Sequence, residues 1–432
     1  MLNLYSFLTS AAYAASYPWL KSKYAVGFDE RRGIYAKEKC LDNPIWVHAV
    51  SVGEVQAAIP FISEVKKTKN FPPKNSPKKI SGADDIKILL STTTQTGANF
   101  AGQMNAECDA HIYYPWDLKR FVSRALDSLK PRAYISVETE IWPQMLAELR
   151  ARNIPAFLIN GRISDKSFKR MSAFPSFWRS VFSCFTSIMV RDGQDARRLE
   201  SLGILPEKIS VTGDCKIDAM RERKSQCAHL QAIERSAPIF VAGSTHPGEE
   251  EQVIEAFGIL RSKIPGAKLM IVPRHPERAR EVGGMTSQIG ATAYYSEFDG
   301  VEFLSEKNTW EFLIVDRIGV LFCLYGIAES VFIGGSLVPK GGQNLMEPAL
   351  FGVPACHGQY MSDFRHVSDE FCSLGISKII YTAEEIADFW LGGMDENFRR
   401  ETARLSENWF AERGGAAEKC RDIILLKKRF TD

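Results

Sequence analysis

The sequence predicts an α/β protein built from two Rossmann-like domains, and three observations carry that prediction. Short apolar runs alternate with helical stretches along nearly the whole chain, the pattern of a parallel sheet covered by helices on both faces. The length, 432 residues, exceeds what one ordinary core organises, so two domains are expected. Polar clusters recur where apolar runs end, which is where open parallel sheets bind ligands. Composition agrees: 45% hydrophobic and 25% charged residues describe a globular chain, and a net charge of +2 argues against a nucleic-acid binder. Nine cysteines are scattered singly with no C-x-x-C pair, so reduced cytosolic thiols are expected rather than a disulfide frame or a zinc site.

Residues 1–20 carry no charged side chain, and Lys21 and Lys23 follow at once. A bilayer-spanning helix, a cleaved signal peptide and an uncleaved helix lying in the inner leaflet are the three membrane readings. Asn3, three serines, Thr9 and Pro18 weigh against the first, and the missing basic n-region against the second. The third puts Tyr5, Tyr13, Tyr17 and Trp19 at headgroup level and the lysines on the cytoplasmic side. Membrane attachment is the expectation, with an amphipathic core helix as the alternative. The charged segment from Gly27 to Gly33 then reads either as a solvated turn or as a place where Glu30, with arginines beside it, takes a proton from an attacking hydroxyl.

Strand-like runs follow at Ile45–Val50, Ile86–Ser91, His111–Tyr114, Ala133–Val137, Ala156–Ile159, Ile188–Val190 and Ile209–Val211. Lys69 to Asp85, with four lysines and three prolines, reads as an inserted solvent loop. A second series comprises Phe240–Ala242, Leu269–Val272, Phe312–Val315, Val331–Ile333, Val353–Cys356 and Ile379–Tyr381. The expected layout is a membrane-associated helix at 1–23, a first domain at 24–215, a linker at 216–237 and a second domain at 238–432. The helical segment from Glu401 to Leu426 can cross back onto the first domain.

The richest stretch runs from Ser330 to Gly358. An apolar strand ends in Gly334, Gly335 and Ser336, a second glycine pair follows at Gly341 and Gly342, and a helix opens near Asn344 with Glu347 on its first turn. Glycines let backbone N–H groups approach an anion, and the helix points its positive end the same way. Glu347 would repel a phosphate but accepts hydrogen bonds from ribose, so the expected ligand is a nucleotide. A glycine-rich connection with a capping carboxylate is the plainer alternative. Arg274 and His275, after another strand, offer an anion contact, with His275 otherwise a surface residue beside Pro276. Clusters at 48–54, 138–143, 160–164 and 244–250 end other strands. Ser244 and Glu249 among them also fit simple helix capping. His48, on a strand of buried residues, is expected to orient rather than act as a base.

Taken together, these stretches resemble the 3-deoxy-D-manno-octulosonic acid (Kdo) transferases of lipopolysaccharide synthesis, glycosyltransferases of the GT-B fold. The resemblance rests on HAVSVGE (48–54), STTTQTG (91–97), YYPWD (113–117), ETEIWP (138–143), NGRIS (160–164) and VTGDCKID (211–218). It continues through STHPGEE (244–250), PRHPER (273–278), LYGIAESVFIGGSL (324–337), GGQNLMEPA (341–349) and HGQYMSDF (357–364). It implies two Rossmann-like domains facing a cleft, and inverting transfer of one or more Kdo units from CMP-Kdo to the lipid A precursor, lipid IVA. It implies no cofactor and no required metal, and a place at the cytoplasmic side of the inner membrane.

By the same resemblance Glu30 is the general base, in a segment where Asp29 replaces the family's glycine. Arg274, His275, Gly334, Gly335, Ser336, Asn344 and Glu347 hold the donor, with Gln343 where the family usually has histidine. Ser51, Gly53, Glu138, Glu140 and Arg162 line the acceptor side. Arg278 and Lys340 are further cations for the donor pocket, and Lys21, Lys23, Arg31 and Arg32 suit a phosphorylated, acylated acceptor. Another GT-B nucleotide-sugar transferase or epimerase, and a non-catalytic lipid-A-binding protein, are the alternatives.

Overall fold

A computed structural model of the protein describes residues 2–68, 86–103, 108–233, 235, 237–305 and 307–428. The lysine- and proline-rich insertion at 69–85 lies outside them. The chain divides into two compact units, Met1–Ala219 with Arg413–Asp432, and Met220–Glu412.

Among the described residues the first unit holds seven strands: β1 (Ile45–His48), β2 (Ile88–Thr92), β3 (Ala110–Tyr113), β4 (Ala133–Val137), β5 (Ala156–Gly161), β6 (Ser187–Val190) and β7 (Ile209–Val211). They pair in parallel in the order β3-β2-β1-β4-β5-β6-β7. Every residue of β1, β2, β4, β5 and β6 is buried, which is why these runs read as continuous apolar stretches instead of alternating ones. Successive side chains feed opposite layers. Trp46, Leu89, Tyr134 and Leu158 enter one core, and Ile45, Val47, Leu90, Ile135 and Phe157 the other.

The second unit repeats the plan with β8 (Ile239–Thr245), β9 (Lys268–Pro273), β10 (Thr292–Tyr294), β11 (Phe312–Ile314), β12 (Ser330–Ile333), β13 (Ala355–His357) and β14 (Ser377–Ile379). Their order is β10-β11-β9-β8-β12-β13-β14, again all parallel. In each sheet the chain builds outward to one edge and then returns to build toward the other. Connections therefore diverge at one place, between β1 and β4 in the first unit and between β8 and β12 in the second, and a crevice opens at the carboxyl ends there.

The structure departs from the sequence reading in several places. β10 was not expected, since its three residues are only partly buried at the sheet edge and form no apolar run. β14 starts two residues before the expected run. The segment expected as a linker carries helices Cys215–Gln226 and Ala228–Gln231. Cys227 and Cys323 form a disulfide with Cα atoms 5.2 Å apart, which corrects the expectation of nine reduced thiols. They lie 96 residues apart in sequence, and the fold sets the start of helix Ala228–Gln231 against helix Leu321–Tyr325.

The helix Leu2–Lys23 packs one face on the first unit. Tyr5 donates to Asp117 Oδ2 at 2.8 Å, Ser6 donates to Gln144 Oε1 at 2.8 Å, and Tyr13 is buried against Phe121 and Trp116. Tyr5 and Tyr13, expected at headgroup level, point into the protein because Asp117 and an aromatic cluster wait there. Leu4, Phe7, Leu8 and Trp19 stay more than half exposed. Among the described residues no helix is long and apolar enough to cross a membrane.

The C-terminal helix Ala416–Lys428 lies on helix Val52–Lys67. Ala416, Ala417, Cys420 and Ile424 join its apolar layer, and Arg421 pairs with Glu64. Asp218 holds the start of that helix, accepting the N–H groups of Gly415 at 2.7 Å and Ala417 at 2.8 Å. Capping of this kind contributes about 0.5–2 kcal/mol. Asp218→Ala is therefore expected to lower the unfolding free energy of the first unit by about 1–2 kcal/mol in urea titration. A midpoint equal to wild type would show that packing alone seats the helix.

Candidate functional site

At the β1/β4 crevice of the first unit, three carboxylates converge. Glu54 sits in the first turn of helix Val52–Lys67, and its Oε2 accepts the Val50 N–H at 2.5 Å, so the side chain is tied back over the end of β1. Glu138 follows β4 directly and takes φ +59°, a left-handed conformation that costs a non-glycine residue about 1–3 kcal/mol and persists where its surroundings require it. Its carboxylate pairs with Lys216 Nζ at 2.6 Å. Burial, with Glu54 and Glu138 nearby, pushes the Glu140 carboxyl up to about 7. Burial raises Glu54 as well, against the opposing Val50 N–H.

His48 ends β1 fully buried, and burial lowers its imidazole to about 3. The ring is therefore neutral, and its 3.9 Å approach to Glu140 is not an ion pair. Its Nε2 accepts the Trp142 indole N–H at 3.2 Å, which leaves Nδ1 to donate toward Ser91 Oγ at 3.0 Å. His48 also stacks on Tyr114 with ring centroids 3.6 Å apart. It orients its neighbours, as expected. Ser51 is the N-cap residue of helix Val52–Lys67 without a side-chain capping bond. A Cβ on Gly53 would meet nothing within 4 Å, so open space lies beside that glycine.

At the β8/β12 crevice of the second unit the charge is reversed. His246, Arg274, His275 and Lys340 act on one another, and their mutual repulsion adds to the burial that lowers His246. His246 and His275 meet edge to face at 5.9 Å. Ser244, at the end of β8, takes φ +58°, matching Glu138 at the end of β4. Gly334 is required by closeness, since a Cβ there would lie 2.4 Å from the Ser244 carbonyl oxygen.

The glycine loop does not present its amides to a ligand. Glu249, fully buried, accepts the N–H groups of His246 (2.9 Å), Gly335 (2.7 Å), Ser336 (2.9 Å) and Leu337 (2.9 Å), while Gly334 N–H goes to the Gly243 carbonyl. A protein carboxylate fills the anion cradle that Gly334, Gly335 and Ser336 were expected to offer to phosphate. Arg278 is also committed, to Glu250 at 2.6 Å and Glu281 at 3.0 Å, which leaves Arg274 and Lys340 as the cations of this crevice, with His246 and His275 beside them. Farther along the loop, Asn344 donates to Glu347 Oε1 at 3.4 Å, and burial raises the Glu347 carboxyl.

Two expected residues stand outside these clusters. Glu30 accepts from Lys39 Nζ at 2.6 Å and from Tyr113 N–H at 2.7 Å, so each oxygen has a partner. Arg162 is exposed, and its carbonyl accepts from Thr139. Sequence reasoning passed over Glu54 and His246 as site residues, although both lie in motifs at strand ends. Glu249 was legible only as a cap, because its partners lie 86 to 88 residues away. Among the described residues no group of His, Cys, Asp or Glu is arranged to hold a metal ion.

Residues 26–219 match the family model described as 3-Deoxy-D-manno-octulosonic-acid transferase (kdotransferase). A 3-deoxy-D-manno-octulosonic acid transferase from Haemophilus influenzae is 30% identical over 349 residues, 80% of this chain and 78% of that one. The chain belongs to this transferase family. A 3-deoxy-D-manno-octulosonic acid transferase from Bordetella pertussis is 27% identical over 392 residues, 88% of this transferase and 86% of that one. UDP-GlcNAc 2-epimerase from Neisseria meningitidis bound to UDP-GlcNAc covers 89% of the chain and 99% of its own, with TM-score 0.56 and 14% identity, a likeness of fold alone. The transferase is thus a GT-B glycosyltransferase, as expected, with seven parallel strands in each unit.

Glu249→Ala would strand four backbone N–H groups, and each buried unpaired group costs about 1–3 kcal/mol. The variant is expected to lose several kcal/mol in the second unit and, with the loop untied, its nucleotide affinity. Thermal unfolding together with nucleotide titration checks this. Full nucleotide binding in the alanine variant would mean the loop holds its shape without the carboxylate.

Proposed function

We propose that the transferase moves Kdo, with inversion, from CMP-Kdo to the lipid A precursor, lipid IVA, at the cytoplasmic side of the inner membrane. The observation that carries this reading is the opposite charge of the two crevices. The second unit gathers cations where a donor with a phosphate and a sugar carboxylate needs them, and the first gathers carboxylates where an acceptor hydroxyl must lose a proton. His246, Arg274, His275 and Lys340 receive the anionic groups of CMP-Kdo and stabilise the departing phosphate. Asn344 and Glu347 receive the ribose hydroxyls. No metal is needed for this scheme.

The base is assigned to Glu54. Of the three converging carboxylates, Glu138 is paired with Lys216, and Glu140, at about 7, holds its proton longest. Glu54 is oriented by the Val50 N–H and beside open space at Gly53. A carboxylate raised by burial suits general-base work. Glu30, the base by family resemblance, is the second reading, since a carboxylate accepts four hydrogen bonds and its Lys39 and Tyr113 contacts do not exhaust it.

One series separates these assignments. Glu54→Gln is expected to cut kcat by about 100-fold or more, the scale of a lost general base, with CMP affinity kept. Glu30→Gln is expected to change kcat far less. Turnover at wild-type level in Glu54→Gln, with loss in Glu30→Gln, would move the base to Glu30. Equal loss of CMP binding in either variant would remove both from the chemistry.

The pH profile carries an independent sign. Glu54 works as its carboxylate, so turnover falls as pH drops and Glu54 takes up a proton. The negative charge of Glu138 repels that carboxylate and makes Glu54 easier to protonate. Glu138→Gln removes the repulsion and is expected to shift the acid limb of kcat to lower pH. A limb in its wild-type place would mean that the two carboxylates are not coupled during turnover.

Membrane attachment is assigned to the outer face of helix Leu2–Lys23. Phe7, Leu8 and Trp19 are 69%, 55% and 56% exposed, while the inner face is tied to Asp117 and Gln144. Such a face lies on a bilayer without spanning it. Replacing Phe7, Leu8 and Trp19 together by serine is expected to move the protein toward the soluble fraction. Turnover on vesicle-embedded acceptor should drop more than on detergent-dispersed acceptor. Unchanged fractionation would place the membrane contact elsewhere.

A further inference from the structure

The chain passes from the first unit to the second within helix Cys215–Gln226, where the division falls after Ala219. In the half that belongs to the second unit, Met220 to Gln226, no side chain is buried. Apolar packing therefore does not fix this half of the helix. Polar ties reach the rest of the unit: Arg223 donates to the Gly319 carbonyl at 3.1 Å, and Lys224 Nζ to the Leu350 carbonyl at 2.8 Å. Water competes for both partners of such contacts, so each holds weakly. The next residue is of another kind. Cys227 is fully buried and bonded through sulfur to Cys323, on helix Leu321–Tyr325.

What this bond holds in place lies beside the donor crevice. Helix Leu321–Tyr325 packs on helix Met346–Leu350, with Phe322 and Phe351 edge to face at 5.1 Å. Glu347 is in the first turn of that second helix, and Asn344 precedes it. Asn344 Nδ2 lies 3.9 Å from Met220 Sδ, and the Arg223 guanidinium lies over the Phe322 ring at 4.3 Å. Burial raises the Glu347 carboxyl, and the charge of Arg223 and the amide of Asn344 oppose it. Met220 and Arg223 thus act on the Asn344–Glu347 pair from a helix that the disulfide ties down.

We propose that the Cys227–Cys323 disulfide is a redox latch on the donor crevice, holding the Met220–Gln226 half of the helix against the Asn344–Glu347 pair. The proposal rests on the reading of that pair as the ribose contact. With the latch closed the wall is set before the nucleotide arrives. With it open, binding must also order the helix, and affinity falls. Opening is exchange with a dithiol. Its thiolate attacks Cys323 Sγ, the partly exposed sulfur, and Cys227 leaves and takes a proton. The second thiol then displaces Cys323, so two electrons and two protons reach the cysteines and the dithiol departs as a cyclic disulfide. On the cytoplasmic side of a membrane, where the proposed reaction lies, disulfides are usually transient or redox-sensing.

The test sets CMP affinity against the state of this bond in the full-length protein. Alkylation followed by mass spectrometry reads Cys227 and Cys323 as bonded or free. With the bond closed, CMP is expected to bind about five- to fifty-fold more tightly than after reduction by dithiothreitol, a common size for coupling between sites. Linkage makes the effect reciprocal. Saturating CMP should raise, by the same factor, the ratio of reduced to oxidised dithiothreitol that opens half of the bonds. The double variant Cys227→Ala, Cys323→Ala should bind CMP as the reduced protein does and ignore dithiothreitol. A CMP analogue lacking both ribose hydroxyls should respond to reduction by about twofold or less, since the latch acts on the ribose contact.

Equal CMP affinity with the bond closed and open would overturn the latch, and a lowered melting temperature beside it would mark a purely structural bond. So would two alkylated thiols in protein kept under oxidising conditions, or a response to dithiothreitol that survives in the double variant. An equal response from the analogue without ribose hydroxyls would overturn the placement at Asn344 and Glu347. If CMP does not bind even with the bond closed, the donor reading fails and the latch with it. CMP binding that ignores the bond leaves the donor reading standing and removes the latch alone.

Discussion

The structure depends on a constraint of parallel sheets. A chain that adds parallel strands must cross over each time, and only where it changes direction across the sheet do neighbouring connections part. In the first unit that place is β1/β4, and in the second it is β8/β12. The strained residues mark both crevices, Glu138 at φ +59° and Ser244 at φ +58°. Helices and loops elsewhere have packing to satisfy. Those two places are where the polar residues gather.

Electrostatics then gives each crevice its character. Burial, with Glu54 and Glu138 nearby, leaves Glu140 titrating at about 7, and burial keeps His48 neutral against the nearby negative charge. In the second unit a buried carboxylate does the opposite work. Glu249 takes three loop N–H groups and the His246 N–H, so the loop is rigid before any ligand arrives. The backbone amides thereby hold the scaffold, and the positive charge of this crevice comes from side chains. The glycines serve close approach between β8 and β12 more than anion binding, as the 2.4 Å Cβ clearance at Gly334 requires.

Most of the strands were legible because buried parallel strands are continuous apolar runs, and the polar clusters were legible because they end those runs. Pairings across the sequence were not. Glu249 looks like a helix cap until β12 is brought beside it, and Cys227 looks like a lone thiol until helix Leu321–Tyr325 reaches it. Edge strand β10, three partly buried residues, carries no periodic signal. The N-terminal helix was readable as uncharged and weakly apolar, but not which side faces protein. That choice is made by Asp117 and the Trp116–Phe121 cluster, more than 100 residues on. Motif reading placed Glu30 and Arg31 in one charged segment. The fold gives them different surroundings, an ion pair for one and an aromatic sandwich for the other.

The central claim is that a donor held by cations passes its sugar to an acceptor hydroxyl deprotonated by a carboxylate, without metal. The most direct measurement is mass spectrometry of purified full-length protein incubated with CMP-Kdo and lipid IVA in the presence of a chelator, with CMP release followed in parallel. The account predicts a product heavier by whole Kdo units and one CMP released for each unit added. CMP-Kdo converted or hydrolysed without a heavier acceptor, or transfer abolished by the chelator and restored by a divalent cation, would contradict it.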